Sequence, residues 1–208
     1  MQNQNVNSIY RQELKERILN TATVMFHKHG IKSVKMDDIA SHLSISKRTL
    51  YEIYANKEDL LFEVVTHHEN KTHEQIEKFD GHGKNVIDII IEFYRTQVAE
   101  LIDIAPVFFE DLHKYPKLIK YLHDTHDQRR QHSIAFIQRG IKEGYFLNNV
   151  NYEITQRIGD AVSNYVMSTY MYKDFPIKEL FRSMVLIFLR GICTEKGVKK
   201  MDAFLNEY

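Results

Sequence analysis

The feature that most constrains the fold of this chain is an almost unbroken helical periodicity, in which apolar residues return every three to four positions. Leu14, Ile18 and Ala22 set this spacing in the first segment, and no segment shows the sustained alternation that is typical of strands. The 208 residues include only 8 Gly and 3 Pro, whereas barrels and sandwiches use such residues at every corner. The sequence therefore predicts an all-α protein.

Turn signals divide the chain into nine predicted helices. We expect them at about 9–29, 36–43, 47–54, 57–79, 86–101, 106–115, 116–144, 154–172 and from 176 onward. Asp80-Gly81-His82-Gly83 is the clearest break between them. Residues 1–8 are polar and are expected to form a disordered arm.

Charge and cysteine content limit the class of protein. Lys plus Arg number 28 and Asp plus Glu number 28, so the formal net charge is zero and any signal for nucleic-acid binding must be local. The one Cys, Cys193, excludes a disulfide framework and fits a reducing compartment. No secretory signal or membrane segment is apparent, because the best apolar run, 184–189, ends at Arg190. We therefore expect a cytoplasmic protein without a membrane partner.

Residues 36–54, MDDIASHLSISKRTLYEIY, fit two short helices joined by a tight turn. Met36, Ile39 and Leu43 give the first helix its apolar face, and the small Ala40 permits a close crossing by the second helix. Leu50 faces inward from that second helix. This leaves four residues on the outer face near its N-terminal end: Lys47, Arg48, Thr49 and Tyr51. The pattern predicts a helix-turn-helix, whose second helix enters the major groove of DNA.

The longer segment 30–64, GIKSVKMDDIASHLSISKRTLYEIYANKEDLLFEV, resembles the DNA-binding signature of TetR-family transcriptional regulators. The resemblance implies a helix-turn-helix domain at 9–55 and a helical regulatory and dimerisation domain at 56–208. It also implies that Lys47 is the basic residue of the recognition helix, that Tyr51 contacts phosphate and that Lys57 opens the fourth helix. Two positions depart from the family pattern: Ser44 stands at a turn position usually held by Gly, and Lys35 replaces the usual capping Ser or Thr. Ser44 is acceptable only if its backbone stays near angles allowed to other residues.

The chemistry of these side chains assigns them roles on DNA. Arg48 can pair with both guanine O6 and N7, and the methyl group of Thr49 can contact a thymine methyl. The other candidates position the protein on phosphates or cap the helix that does so. The predicted DNA-binding residues are Lys35, Ser46, Lys47, Arg48, Thr49, Tyr51 and Lys57. The alternative is that they are solvated residues of a domain that only packs.

Two helices near the C-terminal end offer a surface for pairing two copies of the chain. Ser183, Ile187 and Gly191 recur every four residues, and small residues permit close helix approach. Together with the eighth helix they predict a four-helix interface in a homodimer. The predicted interface residues are Ala161, Val162, Tyr165, Ser183, Ile187 and Gly191. The alternative is that both faces pack within one chain.

The seventh predicted helix has a polar middle between apolar ends, which can mark a cavity for a small-molecule effector. His126 and Ser133 lie on the same face as Ile119 and Ile137, and buried polar groups need partners. Aromatic residues nearby can supply the walls. The predicted ligand-binding residues are Phe93, Tyr94, Phe108, Tyr121, His126, Tyr165 and Tyr170. The alternative is that these aromatic residues form core and the polar middle is solvated.

Metal and enzyme functions find little support in the sequence. The 11 His are scattered and accompanied by one Cys, whereas a structural zinc site wants four ligands at regular spacing. A Gly-rich phosphate loop and the G-x-S-x-G and H-E-x-x-H motifs are missing from the sequence, so we expect neither catalysis nor a cofactor. The sequence favours a ligand-responsive repressor that binds a palindromic operator as a homodimer. A regulator controlled by a partner protein, and a helical interaction module without DNA binding, remain as alternatives.

Overall fold

A computed structural model of the chain describes residues 2–81, 83–101, 103–128 and 130–205, with side chains except those of 2–8, 123, 126–128, 130–132 and 205. Its α-helices are α1 (Gln2–His29), α2 (Met36–His42), α3 (Lys47–Ile53), α4 (Lys57–Asp80), α5 (Val86–Leu101), α6 (Pro106–Leu112), α7 (Pro116–Gln128), α8 (Arg130–Lys142), α9 (Tyr152–Ser168), α10 (Ile177–Ile192) and α11 (Glu195–Leu205). Over these ranges the β structure is one isolated bridge between Phe146 and Cys193, so the all-α prediction is confirmed. None of the helices described is both long and apolar enough to cross a membrane.

Two helices differ from the prediction. Helix α1 begins at Gln2, whereas the sequence placed its start near residue 9. Extension is favourable because each residue added to a formed helix gains a backbone hydrogen bond. The predicted seventh helix is described on both sides of residue 129, as α7 and α8, whereas α11 was not predicted. The Thr194 side chain helps to begin α11, since its Oγ1 accepts a hydrogen bond from the backbone N–H of Gly197 at 3.3 Å.

Backbone contacts divide the chain into two compact units. The first contains the residues up to Lys71 together with Asp103–Ile119, and the second contains Thr72–Ile102 and the residues from Lys120 onward. The first unit therefore includes much of α4 and all of α6, whereas the sequence suggested a boundary at 55–56. Its largest fully buried side chains come from four helices and the turn after α1: Ile18, Phe26, Ile31, Ile39, Leu50, Leu60 and Leu61.

The second unit has its own apolar core, formed by α5, α10, α11 and the segment after α8. Its buried members are Val86, Ile87, Tyr94, Phe146, Cys193, Met201 and Phe204. Gly140 permits the Phe146 ring to lie directly against α8, because a Cβ at this position would lie 2.1 Å from the ring. An ionic cluster supports the same region, where Arg139 pairs with Asp80 and donates from Nε to Glu143 Oε1 at 2.7 Å.

Candidate nucleic-acid interface and ligand groove

Helices α2 and α3 form the predicted helix-turn-helix, and a left-handed residue closes the turn between them. Ser44 has φ = 55°, and its N–H donates to Ser41 O at 3.1 Å while that of Ile45 donates to Ala40 O at 3.0 Å. This pair of hydrogen bonds satisfies carbonyls at the end of α2, as a Schellman motif does. Ser44 thus occupies the small left-handed region open to residues other than Gly, at some cost in backbone strain.

The N-terminal end of α3 is capped by Ser46. Its Oγ accepts a hydrogen bond from the Thr49 N–H at 3.0 Å and lies 2.7 Å from Thr49 Oγ1. The two hydroxyl groups therefore engage each other in the free protein. Leu50 is buried beneath them, so the helix presents its polar side outward.

Three predicted DNA-binding side chains lie exposed on that outward side of α3. The exposed fraction is 66% for the Lys47 side chain and 89% for the Arg48 side chain, and 47% for Tyr51 as a residue. Both cations are paired with acids: Lys47 Nζ with Asp37 Oδ2, and Arg48 Nε with Glu52 Oε1 at 2.8 Å. The hydrogen bond and the charge of the partner acid raise the pKa of each cation, so both remain charged at neutral pH.

Lys35 lies beside this surface, at the residue before α2. It is exposed, and its backbone N–H donates to Asp38 Oδ2 at 2.8 Å. Asp38 therefore accepts a hydrogen bond from a backbone amide that lacks a partner within the helix, although Lys35 replaces the usual capping Ser or Thr. The Lys35 side chain is left on the same end of the motif as Asp37 and Lys47.

Lys57, in contrast, has its ammonium group committed to the protein. Its Nζ donates to Ile31 O at 2.8 Å and Val34 O at 2.9 Å, with a longer contact of 3.4 Å to Lys32 O. Burial lowers the pKa of Lys57, although nearby Asp111 and Asp38 act in the opposite direction. Lys57 therefore differs from the exposed cations of α3, because its ammonium group joins the start of α4 to the turn before α2.

Helix α6 is fastened to that same turn through Asp111, which sequence reasoning missed. Asp111 is only 3% exposed, and its Oδ2 accepts the backbone N–H of Lys32 at 2.7 Å while Oδ1 accepts Lys114 Nζ at 2.7 Å. Burial raises the pKa of Asp111, but these bonds and charges outweigh it and leave the pKa lowered. The backbone N–H of Ala105 adds a bond of 2.8 Å to His27 O. No sequence signal marked an aspartate in a short helix as buried.

The second unit contains an apolar groove between α5, α9 and α10, with a volume of about 270 Å³. Its lining residues are Ile90, Phe93, Tyr94, Gly159, Ser163, Phe181, Met184, Val185, Phe188 and Leu189. Among these residues Ser163 carries an aliphatic hydroxyl group, and its Oγ donates a hydrogen bond to Gly159 O at 3.0 Å. The groove therefore suits a mainly apolar ligand. The apolar stripe of α10 forms much of this wall, and Phe181, Val185 and Leu189 of that stripe also pack against the core of the second unit.

The structure brings only two of the predicted ligand-binding residues, Phe93 and Tyr94, to this groove. Phe108 is buried in the first unit, where its ring meets the His27 ring edge-on at 4.8 Å between centroids. Tyr121 is half-buried on α7, and Tyr170 is exposed with φ = 57° and its ring beside Tyr172. Tyr165 is exposed on α9, and the His126 side chain lies outside the described residues. Phe108, Tyr121, Tyr165 and Tyr170 do not line the groove, and their role in ligand binding stays a prediction.

The predicted interface residues lie on α9 and α10, and all but Val162 are exposed. Ala161, Ser183 and Gly191 are exposed and Val162 is half-buried, while Tyr165 is 61% and Ile187 is 70% exposed. A Cβ on Gly191 would meet no atom within 4 Å, so this face is open in the single chain. Further exposed apolar side chains on α9 are those of Ile154 and Ile158.

Residues with metal-binding or nucleophilic chemistry do not gather into a site in the part of the chain that the structure describes. Across the ranges given above, no three His, Cys, Asp or Glu side chains lie close enough to hold a metal ion together. Cys193 is buried at the end of α10, and burial raises the pKa of its thiol to about 11. A thiol with that pKa is a poor nucleophile at neutral pH.

Comparison with known proteins links the helix-turn-helix to one family. Residues 18–64 match the family model described as bacterial regulatory proteins, tetR family. This match spans the C-terminal part of α1, all of α2 and α3, and the beginning of α4. It therefore covers the residues that form the exposed surface around Lys47, Arg48 and Tyr51.

Longer similarities extend over both units. The HTH-type transcriptional repressor KstR2 of Mycobacterium tuberculosis is 24% identical over 151 residues, covering 67% of this chain and 72% of the relative. Its structure, that of a ketosteroid transcriptional regulator, has a TM-score of 0.57 at 18% identity, covering 87% and 95% of the two chains. A putative transcriptional regulator from Saccharomonospora viridis in complex with choline reaches a TM-score of 0.67 at 18% identity, covering 88% and 100%. These structures share the fold.

Proposed function

We propose that this chain, whose residues 18–64 match the model of the tetR family of bacterial regulatory proteins, is a transcriptional repressor that binds a palindromic operator as a homodimer. The observation that carries the proposal is the outward face of α3. There Lys47, Arg48 and Tyr51 are exposed at the end of a helix whose opposite side is buried. A helix of this kind is suited to the major groove.

The exposed side chains and the half-buried Thr49 each have a role on DNA that follows from their chemistry. Arg48 offers a planar set of donors to the O6 and N7 acceptors of guanine, and Thr49 offers a methyl group to thymine. Lys47, Tyr51 and Lys35 donate to phosphate oxygens and fix the position of α3. Lys57 acts indirectly, because its ammonium group holds the turn from which α2 begins.

Homodimerisation is supported by the open apolar face of α9 and α10. Ile154, Ile158, Tyr165 and Ile187 are each more than half exposed, which is unfavourable for large apolar side chains clustered on neighbouring helices. A second copy of the chain would cover them in a four-helix arrangement. Two copies would also supply two α3 helices for the two halves of a palindrome.

A mainly apolar small molecule is the proposed effector, bound in the groove of α5, α9 and α10. Its walls carry apolar and aromatic side chains with Ser163 as a single aliphatic hydroxyl. The relative KstR2 is described as a ketosteroid regulator, and a steroid or fatty acyl chain would match this chemistry. Binding would release the operator by shifting α4, whose first residues hold the turn before α2. Such a ligand must bind the two states with different affinities.

DNA binding is tested with purified protein and DNA from its own promoter, compared with scrambled DNA of the same length at several salt concentrations. We expect tighter binding to the promoter and a steep loss of affinity with salt. Lys47→Ala combined with Tyr51→Phe should weaken binding, whereas Lys199→Ala, which removes an exposed cation from α11, should not. Equal affinity for the promoter, the scrambled DNA and sequences selected from genomic fragments would refute the proposal.

The effector site is tested separately by a panel of steroids and fatty acids in a thermal-shift assay and in competition with DNA. Gly159→Val should abolish the shift, because the Gly159 Cβ position faces the groove at 3.9 Å from the Phe188 ring. Asn164→Val, on an exposed turn of the same helix, is the matched control and should leave the shift intact. A compound that binds wild type and Gly159→Val equally well would place the effector elsewhere.

A further inference from the structure

Arg48 is held in one orientation by a residue of its own helix. Its Nε donates to Glu52 Oε1 at 2.8 Å, and the two residues are four positions apart on the exposed side of α3. Glu52 is fixed at its backbone, because its carbonyl accepts a hydrogen bond from Arg11 Nη2 at 3.2 Å. The guanidinium group is therefore anchored through Nε, which leaves both terminal Nη groups for other partners.

That division of donors is what guanine recognition requires. A guanine presents O6 and N7 as neighbouring acceptors in the major groove, and an arginine can meet both with its two terminal amino groups. We propose that Glu52 is the specificity-determining positioning residue of α3, holding Arg48 end-on for guanine. This inference rests on the proposed DNA-binding function. Glu52 acts through Arg48.

The carboxylate also disfavours the competing use of Arg48. An arginine that is free to rotate can bind a phosphate of any sequence, and such contacts supply nearly all non-specific affinity. Moving Arg48 to a phosphate would break its bond to Glu52 and leave that carboxylate unpaired beside the anionic backbone. Glu52 should therefore raise discrimination by lowering affinity for the wrong DNA as well as by orienting Arg48 on the right one.

The neighbouring pair between Lys47 and Asp37 provides an internal comparison. It also joins a cation of α3 to an acid, with side-chain exposures of 66% and 45%. Lysine, however, carries a compact charge without a planar fork, so its partner does not orient it for a particular base. Asp37 should reduce the attraction of Lys47 to all DNA equally.

The experiment compares wild type, Glu52→Ala, Glu52→Gln and Asp37→Asn on three DNAs. These are the operator, operators with one G·C pair at a time changed to A·T in each half-site, and scrambled DNA. For Glu52→Ala we expect the operator-to-scrambled affinity ratio to fall by a factor between about 5 and about 100, with scrambled DNA bound more tightly. Glu52→Gln keeps an acceptor for Nε and should retain part of the ratio. Asp37→Asn should raise affinity for all DNAs by one common factor.

Combination with Arg48→Ala separates positioning from a general structural effect. In the Arg48→Ala background, Glu52→Ala should no longer change the preference at any G·C position, because the oriented group is gone. Circular dichroism melts verify that each variant is folded. If wild type discriminates but Glu52→Ala retains its ratio, or loses affinity for all DNAs equally, the inference on Glu52 is overturned while DNA recognition stands. If wild type itself shows no preference, the proposed function fails first.

Discussion

Lys57→Met removes the ammonium group that joins α4 to the turn before α2, while it keeps an unbranched side chain. In the wild-type chain Lys57 Nζ donates to Ile31 O at 2.8 Å and to Val34 O at 2.9 Å. Methionine cannot donate a hydrogen bond, so both carbonyls lose their partner. We expect the variant to be less stable and to bind DNA less tightly without losing a direct contact to phosphate.

The size of the effect follows from these two bonds. A hydrogen bond with a charged group contributes about 1.5 to 3 kcal/mol, so the two hydrogen bonds of Lys57 would contribute about 4 kcal/mol if water were excluded. Lys57 is only partly buried, and water will replace about half of this. Removing a cation from the first residue of a helix returns about 0.5 kcal/mol. The free energy of unfolding should therefore fall by about 1.5 kcal/mol, which lowers the Tm by about 3 to 6 °C for a chain of this length.

Urea denaturation followed by circular dichroism measures the change. Lys57→Arg keeps a charged donor and should lose clearly less than Lys57→Met. Lys28→Met removes an exposed cation from the last turn of α1 and should change stability by no more than about 0.5 kcal/mol. These two controls separate the loss of the hydrogen bonds from the loss of a positive charge.

The dependence of DNA affinity on salt distinguishes this role from the one that the sequence suggested. A lysine that neutralises one phosphate contributes about 0.9 to the slope of log affinity against log salt. Because Lys57 donates to carbonyls of its own chain, Lys57→Met should leave that slope unchanged while affinity falls. Because each protomer of the proposed homodimer would lose one such contact, a slope reduced by about 1.8 together with unaltered stability would refute the reasoning and make Lys57 a phosphate-binding residue.

Burial, with a smaller contribution from His68, lowers the pKa of His27 to about 4. Because His27 of the unfolded chain takes up a proton near pH 6.5, the free energy of unfolding of wild type should fall by about 2 kcal/mol relative to that of His27→Leu between pH 6.5 and 4, as measured by urea titrations. Parallel pH curves for the two proteins would contradict this. Gly140→Ala should destabilise by about 2 kcal/mol, because its Cβ would lie 2.1 Å from the Phe146 ring. At position 159 a Cβ would lie 3.9 Å from the Phe188 ring, so Gly159→Ala should raise the free energy of unfolding by up to about 1 kcal/mol. Equal melting temperatures of the two proteins would refute this packing argument. Ser44→Gly should stabilise by about 0.5 kcal/mol through relief of the φ of 55°, and a lower denaturation midpoint would show that the serine is unstrained.

Local sequence patterns predicted the helix-turn-helix because its determinants lie within a few residues of one another. Met36, Ile39, Ala40 and Leu50 are all buried where the spacing placed them. The cap at Ser46 is also a local interaction, since it involves residues three positions apart. Such features depend on helix geometry alone, and helix geometry is fixed by the period.

The roles that sequence reasoning missed depend on residues far apart in the chain. Lys57 meets carbonyls 23 to 26 positions earlier, and Asp111 meets an amide 79 positions earlier. A lysine at the start of a helix normally appears as a solvated cation, and an aspartate after two phenylalanines gives no sign of burial. Neither pattern contains information on which backbone groups the folded chain will leave without partners.

Aromatic residues do not by themselves identify the groove, for a related reason. Phe108 and Tyr94 are both buried aromatic side chains, yet the first packs in the first unit and the second lines the groove in the second unit. Residue type and helical spacing predict burial but not which helices meet. Phe181 and Phe188 lie on an apolar stripe that suits a core, and only the arrangement of α5, α9 and α10 turns that stripe into a wall.

Helices α2 and α3 have seven residues each, and isolated helices of this length are not stable in water. The proposed DNA-binding surface therefore depends on the other parts of the first unit that hold both helices. Leu50 is the buried anchor of α3, while Arg11 bonds the Glu52 carbonyl and Lys57 bonds the turn before α2. A change at any of these supports alters how much of the population presents Arg48 correctly, without changing the number of phosphates contacted. Affinity should then fall at constant salt slope, whereas loss of Lys47 or Tyr51 should change the contacts themselves, and this difference assigns each residue to support or to recognition.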